Sequence, residues 1–340
     1  MLHLFYELLN YLSSGLKGFQ NHLIGVEWAD NFEERASKQF DRIYEDYDKY
    51  FLIPLALIIL SSGLLLFNFG TTGEFFEKGT DFAGGTEITF EVNGSFSSNE
   101  VEEVFADADR PGVSALTQNT GERTLLLVQV PPPDMNQIEA SNIMENAGYD
   151  VDVDGFNSIS AAVSDQFFRQ AQFAFILAFS IMSFVIFYAF KDFTPSVAVV
   201  FAAAGDIIIA GAGMTLLGIP LTLGSLAALL MLIGYSVDTD IVLSTRVLKM
   251  NRGSVKSRMW GSMKTGLTMS SGGIAGFMLL YLVSTSIVGP SELSNIAAVM
   301  VVGLLADIPL TWLGNTVILK KYVEGDFESL EALRGSLSWM

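Results

Sequence analysis

One stretch of the chain, from residue 221 to residue 243, reads LTLGSLAALLMLIGYSVDTDIVL. It is long and apolar enough to cross the ~30 Å hydrocarbon core of a bilayer, which takes about 20 helical residues. Two carboxyl groups, those of Asp238 and Asp240, stand near its end. Because a charge near the bilayer centre costs on the order of 3 kcal/mol, this stretch indicates a membrane protein whose helices enclose a polar interior.

The same apolar pattern recurs along the chain. The spans are predicted at roughly 51–69, 170–190, 194–217, 221–243, 264–285 and 293–319. Hydrophobic residues make up 50% of the chain and charged residues only 16%, below the proportion of charged residues in soluble domains. The sequence therefore predicts a polytopic α-helical membrane protein with six transmembrane helices. Its parts are a cytoplasmic segment 1–50, a first helix 51–69, an outer domain 70–169, helices two to six over 170–320, and a tail 321–340.

The basic residues are distributed unevenly between the two sides of this arrangement. Fifteen of the 19 lysines and arginines lie on the side of the two termini, and four lie in segment 70–169. Since lysine and arginine concentrate in cytoplasmic loops, both termini are predicted in the cytoplasm and the 70–169 domain outside the cell membrane. Residues 2–26 fit either an amphipathic helix in the membrane interface or a soluble helix that faces a partner.

The outer segment alternates hydrophobic and polar residues, a pattern typical of strands. Strands are predicted at 86–92, 113–118, 122–130 and 149–154, and helices at 97–109 and 134–147. This β-α-β-β-α-β order is that of an α+β ferredoxin-like domain. Residues 71–165 carry 18 acidic residues against three basic ones. The excess indicates either adaptation to salt or a surface for basic substrate segments, and it disfavours nucleic-acid binding.

Residue types that serve most enzymes and metal sites are scarce. The chain has no cysteine, and its two histidines are His3 and His22. This composition excludes disulfides and thiolate sites, and it argues against a histidine metal site or base. We therefore expect no catalytic residue, no metal and no cofactor.

A glycine pair precedes the first predicted strand, in the sequence Asp81-Phe82-Ala83-Gly84-Gly85-Thr86. Adjacent glycines allow a tight turn with positive φ. The spacing matches neither nucleotide-binding pattern, GxGxxG or GxxxxGK[ST]. We predict a structural hinge where the first span joins the outer domain.

Four carboxyl groups are predicted at membrane depth, and they are our candidates for ion coupling: Asp206, Asp238, Asp240 and Asp307. Such residues normally face a protein interior or a water path. A carboxyl that gains or loses a proton as water reaches it changes the local packing, which is a physical basis for coupling ion flow to motion. Polar and basic residues predicted to support them are Tyr235, Ser236, Arg246, Lys264 and Thr265.

The positions of the two aspartates in the fourth span leave alternatives open. Asp238 and Asp240 point ~200° apart on a regular helix, so one of them at most faces a given path unless the helix breaks near Gly234. Asp240 either lines the path or lies at the membrane boundary and pairs with the basic cluster that begins at Arg246. In the sixth span, Pro309 lacks a backbone N–H and can open a polar pocket.

Three features together resemble the SecF branch of the SecD/SecF family of protein-export subunits, which is related to the resistance-nodulation-division transporters. They are DFAGGT at 81–86, GYSVDTDIVLSTR at 234–246, and six spans with one outer domain after the first. The resemblance covers roughly residues 50–320, and the acidic bias and GYSVDTD form are similar to archaeal members. It implies protein transport with SecD beside the SecYE translocon. The proton motive force would drive a translocating polypeptide across the lipid membrane, with no nucleic acid involved.

The chain departs from the family pattern at three places. The acid of the pattern GYSxND falls on Asp238 or Asp240. The third-span His-Asp pair of bacterial members is Gly205-Asp206 here. A fifth-span arginine is absent from 264–268, where Lys264 and Thr265 stand instead. These departures bear on ion coupling more than on export.

Three other functions fit parts of the sequence. A proton-coupled exporter of small molecules would share the membrane carboxyls, but such proteins usually have two six-helix halves. An intramembrane aspartyl protease would pair Asp206 with Asp238, although its YD and GxGD motifs are missing. A structural export subunit without ion coupling also fits.

Overall fold

The structure is a computed structural model that describes residues 26–92, 97–119, 124–250, 253–287 and 291–325, with only the backbone for 26–33 and 116–119. The chain forms two compact units, Met1–Tyr50 and Phe51–Met340. In the first unit, α1 (Val26–Glu45) is followed by the short α2 (Tyr47–Tyr50). The predicted amphipathic segment lies almost wholly outside the described residues.

The first membrane helix, α3 (Leu52–Thr72), leads into the sheet domain, which is called the outer domain after its predicted location. The elements of this domain are α4 (Thr80–Ala83), β1 (Gly85–Val92), α5 (Ser98–Asp107), β2 (Ser114–Asn119), β3 (Thr124–Val130), α6 (Gln137–Asn146) and β4 (Val151–Ile159). Its strands form one antiparallel sheet in the order β2-β3-β1-β4. The prediction ended the last strand too early, because pairing with β1 continues past Gly155 until Ile159.

Helices α5 and α6 cover one face of this sheet. Ile88 and Phe90 of β1 are fully buried against Val101 and Phe105 of α5 and Met144 of α6. Each large apolar side chain removed from water contributes about 1.5–3 kcal/mol. Strand alternation sends the intervening β1 side chains to the opposite face. The outer domain thus has its own hydrophobic core.

The remaining membrane helices follow the last strand. They are α7 (Ala161–Phe190), α8 (Phe193–Leu217), α9 (Leu223–Lys249), α10 (Val255–Ile287) and α11 (Glu292–Pro309), which continues through a π-helical turn (Leu310–Asn315) into α12 (Thr316–Glu324). In the described part of the chain, six helices are long and apolar enough to cross a membrane, as predicted. The second, α7, begins nine residues earlier than predicted because it starts directly after β4.

Three of the six membrane helices form the interior of the bundle. In their most apolar stretches, 56% of the residues of α8, 50% of α9 and 61% of the sixth helix are buried, against 11% in each of the other three. Gly303 of α11 permits close packing, since a Cβ there would collide with Leu232 of α9. Polar side chains between these three helices are therefore shielded from lipid.

Candidate functional site

Three of the four predicted aspartates lie in the interior of the bundle, on three different helices. Asp206 of α8, Asp240 of α9 and Asp307 of α11 are each at most 1% exposed. Two hydroxyl groups contact them. Ser236 donates a hydrogen bond to Asp206, and the Thr311 oxygen lies 3.0 Å from a carboxyl oxygen of Asp240 and 3.0 Å from one of Asp307.

Helical spacing brings these groups together. Ser236 and Asp240 lie four residues apart on α9, and residues at that spacing share one face of a helix. Asp307 and Thr311 have the same spacing in the sixth helix. Asn315, at the end of the π-helical turn, donates a 2.7 Å hydrogen bond to Asp240. Two inner helices therefore face each other with polar side chains.

The π-helical turn positions the donors of the sixth helix. It begins directly after Pro309, which has no backbone N–H to offer the preceding turn. Within it, the carbonyl of Thr311 accepts hydrogen bonds from both the backbone N–H and the hydroxyl of Thr316. Two hydrogen bonds from Thr316 thus fix the Thr311 carbonyl where the helix departs from α geometry.

Asp206, Asp240 and Asp307 form a buried cluster with their hydrogen-bond partners Ser236, Thr311 and Asn315. The fourth aspartate, Asp238, points away from this cluster. Helix α9 is unbroken past Gly234, so Asp238 and Asp240 lie on different sides, and Asp238 is exposed. Of the two alternatives left open for Asp240, the pairing with Arg246 is not formed. Asp240 is fully buried among polar donors of the sixth helix, and Arg246 donates to the Gly261 carbonyl. The protease pair is not formed either, since Asp206 is buried and Asp238 is outside.

Of the five supporting residues predicted, only Ser236 belongs to the cluster. The others contact backbone or ring atoms elsewhere: Tyr235 donates to the Met269 carbonyl (3.4 Å), Arg246 and Thr265 to the Gly261 carbonyl (2.7 and 3.2 Å), and Lys264 lies 5.7 Å from the Trp260 ring. These contacts lie within α10 or between α9 and α10.

The cluster contains three buried carboxyl groups. Among the described residues, no lysine or arginine forms an ion pair with the three carboxyls. The facing oxygens of Asp240 and Asp307 are at most about 6 Å apart, a range in which like charges repel strongly at low dielectric. Ionisation of all three carboxyls is therefore unfavourable unless a cation binds, and protonation of one of them removes the repulsion.

Several buried oxygens of the cluster have no hydrogen-bond partner in the part of the chain that the structure describes. They are Oδ1 of Asp206, Oδ2 of Asp240 and Oδ1 of Asn315. A buried acceptor left unpaired costs about 1–3 kcal/mol. All three are acceptors, so protons, water or a cation would satisfy them, and an anion would not.

Sequence reasoning missed two members of the cluster, Thr311 and Asn315. The available signal was a polar residue at every fourth position after Asp307 within an apolar helix. The hydroxyl oxygen of Ser270, on α10, lies 3.4 Å from the second carboxyl oxygen of Asp307.

The glycine motif at 81–86 links the outer domain to the membrane helices. Asp81 accepts a 2.9 Å hydrogen bond from the backbone N–H of Leu223 at the start of α9. Phe82 is buried against the ring of Phe168 on α7, with centroids 5.6 Å apart. The predicted junction therefore contacts two further membrane helices, a connection that the sequence did not indicate.

The rest of the motif fixes the start of the sheet. Gly84 and Gly85 have positive φ, and a Cβ on Gly85 would collide with the carbonyl oxygen of Val130. The hydroxyl of Thr86 contacts both the N–H and the carbonyl of Met135, at 2.9 and 3.1 Å. Glycine is therefore required here by backbone conformation and by close packing.

This chain is similar to known proteins over most of its length. The family described as "Protein export membrane protein SecD/SecF, C-terminal" matches residues 139–325. A curated relative from Methanothermobacter thermautotrophicus, named protein-export membrane protein SecF, is 39% identical over 84% of this chain and 95% of its own. The relative of the same name from Haloferax volcanii is 34% identical over 82% of this chain and 94% of its own.

A solved structure shares the fold. It is that of SecDF, described as a translocon-associated membrane protein, from Thermus thermophilus. The TM-score is 0.68 at 20% sequence identity, over 82% of this chain. This chain spans 38% of the length of that protein.

Proposed function

The chain belongs to the SecD/SecF family of protein-export membrane proteins, and we propose that it couples ion flow through its buried aspartates to polypeptide export. It is a multi-pass membrane protein with an accessory role in Sec protein export. In this proposal it acts with SecD beside the SecYE translocon and contacts the translocating polypeptide. Protons or cations would pass through the cluster of Asp206, Asp240 and Asp307.

The observation that carries the coupling is the burial of three carboxyls without a cation among the described residues. Burying acids in this way costs free energy, which a purely structural subunit could avoid with apolar residues of similar size. A carboxyl whose charge changes with ion occupancy alters the attraction and repulsion between the helices that carry it. Three helices meet at this cluster, so the change acts on the centre of the bundle.

The proposal includes an orientation and a domain class. The excess of basic residues on one side supports cytoplasmic termini and a sheet domain outside the cell membrane. The β-α-β-β-α-β order and the strand order β2-β3-β1-β4 support a ferredoxin-like class for that domain.

Complementation of cells that lack this gene tests the coupling. Export of a reporter with a signal sequence is measured by pulse-chase at matched membrane levels of the wild type and each of four variants. Asp206→Asn, Asp240→Asn and Asp307→Asn remove one ionisable group each while keeping nearly the same volume. Asp238→Asn makes the same chemical change on the outward side of α9 and is the control.

We expect the deletion to slow export, at least one of the three buried variants to fail in rescue, and Asp238→Asn to rescue. Rescue by all four variants would identify a structural export subunit without ion coupling. Unchanged export in the deletion strain would favour the small-molecule exporter instead.

A further inference from the structure

One hydroxyl group lies between two carboxyls of the cluster. The oxygen of Thr311 is 3.0 Å from Oδ1 of Asp240 and 3.0 Å from Oδ1 of Asp307. All three side chains are fully buried. A threonine hydroxyl carries a single hydrogen and two lone pairs, so it can donate to one carboxyl only.

The second contact is a hydrogen bond only if the other carboxyl donates. A carboxyl donates when it is protonated, and an ionised carboxylate can only accept. Two satisfied contacts therefore require at least one of the pair, Asp240 or Asp307, to hold a proton, and a transfer between them requires the other to be ionised. Two ionised groups would leave Thr311 one hydrogen short, and would place two like charges close together in the interior of the bundle.

From this geometry, and resting on the proposed ion coupling, we propose that Thr311 relays one proton between Asp307 and Asp240. In the transfer, the O–H bond of protonated Asp307 breaks and its proton binds the Thr311 oxygen. The original hydroxyl hydrogen of Thr311 leaves at the same time and binds the carboxylate of Asp240. One proton has moved from Asp307 to Asp240, the negative charge has moved the other way, and Thr311 is restored.

Further hydrogen-bond donors lie at both ends of this relay. Asp240 also accepts the 2.7 Å hydrogen bond from Asn315, which favours its ionised form. Asp307 has the more distant Ser270 hydroxyl at 3.4 Å. Asp307 also interacts with Ser236, so both ends of the relay have hydrogen-bond donors besides Thr311.

The charged groups around the relay are few. Helix α8 contributes Asp206, whose hydrogen-bond donor Ser236 also interacts with Asp307. Helix α10 contributes only the neutral Ser270 among the described residues. Besides the relay carboxyls of α9 and α11, two further titratable groups lie beside these serines. Asp206 of α8 accepts from Ser236, and the Tyr235 hydroxyl of α9 donates to the Met269 carbonyl of α10.

Three substitutions test the relay in the deletion strain. Thr311→Val keeps the shape of the side chain and removes the hydroxyl, whereas Thr311→Ser keeps the hydroxyl. Thr239→Val removes a buried hydroxyl that bonds only to a carbonyl of its own helix, that of Tyr235, and is the matched control. The measurement is the part of reporter export that an uncoupler of the proton gradient abolishes, followed across external pH.

We expect Thr311→Val to lower the gradient-dependent export about 100-fold or more, the size of effect typical of a lost proton-transfer group. The export that remains should lose its dependence on external pH. Thr311→Ser should keep most of the activity and Thr239→Val should match the wild type. If Thr311→Val does not accumulate in the membrane, the smaller Thr311→Ala provides the same test.

Three outcomes would overturn the relay. The first is full gradient-dependent export in Thr311→Val together with its loss in Asp307→Asn. This result would refute the relay and leave the proposed ion coupling intact. A lower amplitude with an unchanged pH profile would show that Thr311 only stabilises the packing. Full activity in both Thr311→Val and the buried aspartate variants would refute the relay and the ion coupling together.

Discussion

Asp81 accepts its hydrogen bond from the backbone N–H of Leu223, a residue 142 positions further along the chain. The carboxylate lies at the N-terminus of α9, where the helix dipole favours negative charge. On the other side of the same helix start, Glu292 of α11 accepts a 2.7 Å hydrogen bond from Thr222. Helix α9 therefore connects the outer junction, which contacts its start, to the buried cluster, to which it contributes Asp240.

Loss of the Asp81 carboxylate should loosen this junction. We expect Asp81→Ala to lower the free energy of unfolding by about 1 kcal/mol, as for the loss of an N-terminal helix cap. Thermal unfolding of the purified protein in detergent measures it. Asp165→Ala, on an exposed residue of α7, is the control, and an equal fall in both variants would contradict the role of the hydrogen bond.

The second glycine of the motif should tolerate no side chain. Gly85 has a φ of 114°, and an added Cβ would collide with the backbone of Val130. Gly85→Ala combines backbone strain with overpacking, and we expect it to cost several kcal/mol, above the ~1 kcal/mol of an average substitution. Protease resistance of the outer domain is the measurement.

Gly148 provides the matched comparison for that experiment. Its φ of 92° is also positive, but a Cβ there would meet nothing within 4 Å. Gly148→Ala should therefore cost only the backbone strain, about 1–2 kcal/mol. Similar protease sensitivity in the two variants would show that the collision with Val130 is relieved by local movement.

Asn315 should be coupled energetically to Asp240. Asn315→Leu removes the 2.7 Å donor and should destabilise the protein by about 1–3 kcal/mol. With Asp240→Asn already present, the same change should cost less, because no carboxylate is left without its donor. A double-mutant cycle on unfolding free energies should give a coupling of about 0.5–3 kcal/mol.

A distant pair serves as the control for this cycle. Asp81 contacts the start of α9, about 25 Å along the helix from Asp240. Asp81→Ala and Asn315→Leu should therefore combine additively. Coupling as large as in the first cycle would indicate a general loss of packing and not a specific contact.

The proposed orientation can be tested by labelling, since the chain has no cysteine of its own. A single cysteine at an exposed position of the outer domain, Glu103→Cys, should react with a membrane-impermeant maleimide in intact cells. Glu45→Cys, exposed in the N-terminal unit, should react only after lysis. The reverse pattern would invert the proposed topology.

Local features of the sequence were sufficient for the elements of the fold. Six apolar runs predicted six membrane helices, because crossing a bilayer requires a minimum apolar length that is visible in any window of the chain. Element ends were less certain. Helix α7 starts at Ala161 because β4 leads directly into it, and polar residues above the membrane do not reveal where a helix begins.

The sequence by itself predicted four aspartates at membrane depth from the apolar runs that contain them. It determined that Asp238 and Asp240 face different ways, since that follows from spacing along one helix. Only the tertiary structure decided that Asp240 is the inward one, and that Thr311 and Asn315 meet it from the sixth helix. The physical reason is rotational. Spacing sets the angle between two side chains on one helix, but the rotation of each helix about its axis is set by its packing against the others, such as Gly303 against Leu232.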